Sequence, residues 1–222
     1  MDDVTSSPVR PKVGGRKKYG ERKVTAQRRT AILDAATQVF ASKGFHAGTL
    51  GDVAELVGMT QAGVLHHFGS KEALLRAVLD YRDEAGSSAV HTAFGLDFFR
   101  HLIATVKLNA TRPGIVQTYV VLSAEAVTED NPGTEYFTDR FDGLRALIHD
   151  EIAKLNPAAD PWPDEVLQAA SSNIIALMDG LQVQWLLNPE SLDLVDATVF
   201  GIDAILRSVK AGKSSPNVVI AD

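Results

Sequence analysis

The chain predicts an all-α protein. Apolar residues recur every three or four positions from Thr25 to Lys210, and no stretch alternates apolar and polar with a period of two. Clusters of Pro, Gly and Asn interrupt the pattern at helix-length intervals. With 222 residues and 45% hydrophobic content, the chain can build one large or two small helical cores.

The elements follow in order. Residues 1–22 are rich in Pro, Gly, Ser and basic side chains without periodicity, which predicts a structureless basic arm, either a solubilising tail or a contact for the DNA backbone or minor groove. A first helix starts near Thr25, buries Ile32, Ala36, Val39 and Phe40, and stops at Gly44 after Lys43, with Phe45 plugging the core. From Thr49 to Phe68 two short helices meet at a tight turn. Ala54 is small where they touch, Gly58 allows the turn, and Val64 is an apolar anchor, with Val53, Val57 and Met59 also facing inward. Thr49 and Thr60 stand where each helix begins, so their hydroxyls can cap free N–H groups. This is a helix-turn-helix, and its second helix would present Gln61, Ala62, Gly63, His66 and His67 to a DNA major groove.

Ser70 caps a fourth helix carrying Glu72 and Ala73 in its first turn and Leu74, Leu75, Val78, Leu79 and Tyr81 along its length, fading at Gly86-Ser87-Ser88. Further helices are expected at 93–110, 113–128 (opening on Pro113), 134–155, 164–187 and 191–210. Breaks fall at Asn131-Pro132-Gly133, at 156–163 and at Asn188-Pro189. The expected organisation is an arm at 1–22, a three-helix DNA-binding domain at 23–69, a helical ligand-binding and dimerisation domain at 70–212, and a tail at 213–222. The helix at 164–187 is apolar nearly all round, which is hard for a body of about five helices to cover within one chain unless it is the central helix of a monomeric bundle. A second copy of the chain, pairing through this helix and the last one, would bury the remaining face.

Charge is segregated. The net charge is −6, yet residues 10–29 hold nine Lys or Arg against Glu21 alone, a local +8. One end is steered toward phosphate while the acidic remainder stays off it. The absence of cysteine excludes disulfides, thiolate metal sites and cysteine nucleophiles, and suits a reducing cytoplasm. No apolar stretch follows the basic N-terminus, and 166–187 is too polar to span a bilayer, so no membrane partner is expected.

Enzyme signatures fail on inspection. Gly58-x4-Gly63 has Val64 where a phosphate loop needs lysine, and Gly212-Lys213-Ser214 has Arg207 where the first glycine belongs. Adjacent helical residues point about 100° apart, so His66 and His67 make a poor metal pair. Nor do His91 and His101, near acids such as Asp97, announce a convergent site. No catalytic residue, metal or cofactor is expected.

The order of one amphipathic helix, a helix-turn-helix ending in His-Phe, and Ser-Lys-Glu opening a fourth helix resembles the tetracycline-repressor (TetR) family of bacterial transcriptional regulators. Thr49, Ala54, Gly58, Thr60, His67, Phe68, Lys71, Glu72 and Leu74 carry the resemblance over about 25–80, and Leu177 to Pro189 looks like the closing segment of many actinobacterial members. The resemblance implies a homodimer whose two heads read a near-palindromic operator in double-stranded DNA, and a C-terminal region that dimerises and holds an effector. Carried onto this chain, it implies phosphate contacts at Thr49 and Thr60, an adenine contact for Gln61, close approach at Ala62 and Gly63, and a backbone clamp from His67 and Lys71. Many members place aromatics where this chain has Leu65 and His66, so Leu65 either meets a thymine methyl or packs inward. A ligand-responsive repressor further implies an apolar small-molecule effector between the C-terminal helices. Gln117 and Asn173, polar residues in apolar helices, are candidates to orient it, with Val121 and Leu177 as wall. The alternative is an architectural DNA-compacting protein without an effector.

Overall fold

The computed structural model describes the backbone of residues 15–86, 94–156 and 161–211, and the side chains of 24–83, 94–156 and 161–211. Nine helices and no strand occur among the described residues: α1 (Gly15–Ala47), α2 (Leu50–Leu56), α3 (Gln61–Phe68), α4 (Lys71–Gly86), α5 (Leu96–Ala110), α6 (Pro113–Glu125), α7 (Thr134–Ala153), α8 (Asp164–Leu187) and α9 (Leu194–Lys210). None of them is long and apolar enough to cross a membrane. Residues 1–14, the joint at Ser87-Ser88, His91 and the tail from 213 lie outside the described residues.

Several boundaries differ from expectation by a few residues, the start of α5 and the end of α6 by three each, and two others differ for identifiable reasons. Helix α1 starts at Gly15, inside the stretch assigned to a structureless arm. Arg, Lys, Gln and Glu propagate a helix at little cost, and because 24–31 is exposed all round, no apolar period announced it. Helix α9 starts at Leu194, where the Asp193 carboxylate accepts from Val195 N and Asp196 N at 2.9 Å each. At the other end of α1 the expected stop holds: Gly44 breaks the helical path with φ +72° and ψ 179°.

The apolar packing forms one core around the head and two in the body. The head core joins Ile32, Phe40, Val53 and Val64 to Leu74 and Val78 of α4, and it continues into Tyr119 and Leu122 of α6 and Tyr136 and Phe137 of α7. The boundary drawn at 69/70 is therefore not a seam in the packing. The body cores gather Phe98, Ile148, Ile174 and Ile202 in one group and Val106, Val116, Trp185 and Leu194 in another. Phe141 of α7 touches both the head core and the first body core.

Candidate DNA-reading surface and its coupling to the body

The helix-turn-helix is held by caps and two buried anchors. Asp52 N donates to Thr49 Oγ1 at 3.1 Å while Thr49 N donates back to Asp52 Oδ2 at 2.8 Å, a capping box that satisfies donors at both ends of the turn. Lys43 Nζ lies 2.8 Å from Asp52 Oδ1, and that contact, with the Thr49 bonds, holds the Asp52 carboxyl at about 2. The chain then turns at Gly58, whose φ of +63° favours glycine, and Met59 N donates to Ala54 O at 2.9 Å. Thr60 Oγ1 accepts from Gly63 N at 3.1 Å and starts α3. Val64 and Phe68 pin the inner side of α3 into the head core.

The outer side of α3 is free to be read. Gln61, Ala62 and His66 are exposed, while Gly63 and His67 are half-buried. A Cβ at Gly63 would come within 3.1 Å of Met59 Cε, the far end of a side chain that can yield by a few tenths of an ångström. Leu65 is half-buried and packs against the head core. The His66 and His67 rings meet edge-on at 5.8 Å. Lys71 is half-buried: its Nζ donates to His46 O at 3.3 Å and sits 4.4 Å from the Phe45 ring centre. The two helix starts differ electrostatically. The first turn of α2 already holds Asp52, whereas α3 has no acid in its first turn. The start of α3 is therefore the less negatively charged of the two helix termini. One head residue escaped the sequence reading. Arg29 of α1 donates from Nη1 to His67 O at 3.1 Å and lies 4.2 Å from the Phe68 ring centre, bracing the last turn of α3.

Two sets of contacts join head to body. Along α1 and α6, Thr118 Oγ1 lies 3.1 Å from Thr37 O and 2.7 Å from Gly114 O of its own helix, Gln117 Nε2 donates to Ala41 O at 3.2 Å, and Phe45 N donates to Glu125 Oε2 at 2.5 Å. Between α4 and α7, Asp83 accepts from Tyr136 Oη at 2.5 Å and pairs with Arg140 at 2.8 Å and Arg82 at 3.0 Å. Arg82 and Arg140 lie 4.1 Å and 5.4 Å from the Tyr119 ring centre. Arg140 Nε is buried without a hydrogen-bond partner. Burial pushes the Asp179 carboxyl of α8 up to about 6, with Arg140 and Arg82 pulling the other way. Burial likewise raises the Tyr119 and Tyr136 phenols. Asp179 is the one charge between 166 and 187, and that isolation was the signal in the sequence that could have singled it out.

The four residues proposed for an effector pocket do not behave as one. Gln117 is exposed and spends its amide on α1; Asn173 is exposed on the outer side of α8. Val121 is half-buried, and Leu177 is turned toward Gly201 of α9. Gln117 and Asn173 mark the faces of α6 and α8 that leave the core of this chain, which is why a polar residue stands there in an otherwise apolar helix.

Comparison with known proteins agrees with this geometry. Residues 32–78 match the model for bacterial regulatory proteins of the tetR family, and residues 98–207 match the model for the C-terminal domain of BetI-type transcriptional repressors. The probable HTH-type transcriptional regulator ArpR of Pseudomonas putida is 27% identical over 182 residues, 75% of this chain and 84% of that protein. The HTH-type transcriptional repressor KstR2 of Rhodococcus jostii is 40% identical, over 32% of this chain and 35% of its own. The crystal structure of NalD, the secondary repressor of the MexAB-OprM multidrug efflux pump in Pseudomonas aeruginosa, superposes with a TM-score of 0.61 over 82% of this chain and 96% of that one, at 20% identity, a likeness of fold. Such relatives regulate transcription and are not enzymes, and neither is this chain. With both the head and the body matched, the protein belongs to the TetR family of transcriptional regulators and binds DNA.

Proposed function

We propose that the chain acts in the cytoplasm as a homodimeric, ligand-responsive repressor that reads a near-palindromic operator. The observation that carries this reading is the exposed side of α3, where Gln61, Ala62 and His66 project from a helix whose inner side is locked by Val64 and Phe68. Gln61 pairs with a base edge, Thr60 and the α3 terminus take the nearest phosphate, and Lys71 and His67 approach the backbone beside it.

Dimerisation is supported by a continuous uncovered face. Positions 169, 173, 176, 180, 183 and 187 of α8 share one helical face, all are exposed, and Val183 and Leu187 are 40% and 81% accessible. On α9, Phe200 is 79% accessible and Ala204 is exposed. Small residues with a few large apolar ones on two packed helices suit a four-helix contact with a second copy. Asn173 belongs to this face rather than to a pocket.

A switch is supported by the polar cluster where α4, α6, α7 and α8 meet. An apolar molecule with one polar group, drawn to Arg140 Nε and the Asp179 carboxyl, would disturb the bonds of Asp83 and so shift α4. Such a ligand acts by its differential affinity for two head spacings, typically about 1–3 kcal/mol.

Competition against bulk genomic DNA tests the reading. A regulator keeps a preferred site with a specificity ratio of roughly 10³ or more, whereas an architectural protein shows none. On the preferred site Gln61→Ala should cost about 1–3 kcal/mol and relax one position; a uniform loss on all sequences would place Gln61 on the backbone instead.

A further inference from the structure

We propose that the N-terminal part of α1 is a helical rail that binds the sugar–phosphate backbone of duplex flanking the sequence read by α3; the proposal rests on the operator-binding reading above. Helix α1 leaves the packed head at Ile32, and every side chain from Val24 to Ala31 is exposed. Its backbone continues outward to Gly15. At about 1.5 Å per residue the projecting stretch is about 24 Å long, close to seven base-pair rises of about 3.4 Å. It carries Arg16, Lys17, Lys18, Arg22, Lys23, Arg28 and Arg29 against Glu21 alone, in a chain whose net charge is −6.

Arg29 fixes where the rail starts. It bonds the last turn of α3 through His67 O, so the projecting helix departs from beside the reading helix rather than from the body. Positions 25, 22 and 18 precede 29 by four, seven and eleven residues, the spacing of one helical face. The face that touches α3 therefore continues outward through the positions of Arg22 and Lys18. A lipid surface would need an apolar stripe, and over 15–31 the larger apolar residues are Tyr19 and Val24 alone. Polyanionic backbone beside the operator fits the charge and the position together.

The test uses the full chain, the variant Lys18→Gln/Arg22→Gln, and a chain lacking residues 1–23. Each is titrated at several salt concentrations on the selected operator and on the same operator extended by about eight base pairs of arbitrary sequence on each side. With two cations removed per subunit and about 0.9 counterions per contact, the double variant should flatten the slope of log K against log salt by about 3.6 on the extended duplex. The short duplex should show little difference, and the truncated chain should select the same operator sequence as the full chain. Equal slopes for full chain and variant on the extended duplex would overturn the rail while leaving operator binding intact. Binding of anionic vesicles that the double substitution abolishes, with DNA slopes unchanged, would overturn it in favour of a membrane role. Failure of all three chains to prefer any duplex would overturn the operator reading and the rail together.

Discussion

The two joints between head and body are built from different chemistry. Along α1 and α6 the contacts join side chains to main chain, with Thr118 beside Thr37 O, Gln117 donating to Ala41 O and Phe45 N donating to Glu125, next to a glycine bend that the Glu125 carboxyl fills. Between α4 and α7 the bonds run from side chain to side chain, around a single carboxylate, Asp83, shared by Tyr136, Arg140 and Arg82. At the first joint each bond has its own pair of groups, so losing one leaves the others in place, whereas at the second one carboxylate serves three partners, so losing Asp83 loosens all of them at once. On the proposed reading the first joint is the bearing that holds the head to α6, and the second is the clasp whose opening would carry a signal through α4.

The sharpest way to break this contrast is at the bend. Gly44 combines φ +72° with ψ 179°, a region open to glycine almost alone, and a Cβ there would run into the Glu125 carboxyl. Gly44→Ala should lower stability by about 3 kcal/mol in denaturant titration, combining backbone strain and displacement of Glu125. A loss below about 1 kcal/mol would show that the bearing yields. At the clasp, Asp83→Ala leaves Arg140 facing two phenols without its carboxylate. It should cost about 2 kcal/mol, discounted for partial exposure, and weaken operator binding by about fivefold or more. Unchanged operator affinity would remove α4 from the signal path.

A smaller effect sharpens the same comparison through pH. Burial raises Asp179 from its ordinary 3.8 to about 6 in the folded chain, so the folded state holds a proton the unfolded state has released. Ionised Asp179 then costs stability above about pH 6, and the cost fades as pH falls toward 4. Asp179→Asn should therefore raise stability at pH 7.5 by roughly 1–2 kcal/mol, with the gain shrinking away near pH 4. A gain that is constant with pH would mean that charge at Asp179 is not the cause.

The head was legible because its constraints are local. The spacing of Ala54, Gly58 and Val64 and the caps at Thr49 and Thr60 act within twenty residues, and each is found where the sequence puts it. The body was legible as helices but not as surfaces. Periodicity shows that α8 has apolar sides without showing which neighbour covers each, so Asn173 passed for a buried group. The clasp depends on Asp83 meeting Tyr136 and Arg140, 53 and 57 residues away, and no local pattern encodes such a meeting. The first turns of α1 are illegible for the opposite reason, since an unburied helix has no apolar period.

Selection of bound fragments from random duplex DNA tests the central claim most directly, since one result reports the reading helix and the pairing of subunits together. The account predicts an inverted repeat whose half-sites lie about 34–36 Å apart, one turn of the duplex, with the strongest positions lost when Gln61 is replaced by Ala. Recovery of unrelated sequences, or of a single unrepeated half-site, would contradict it.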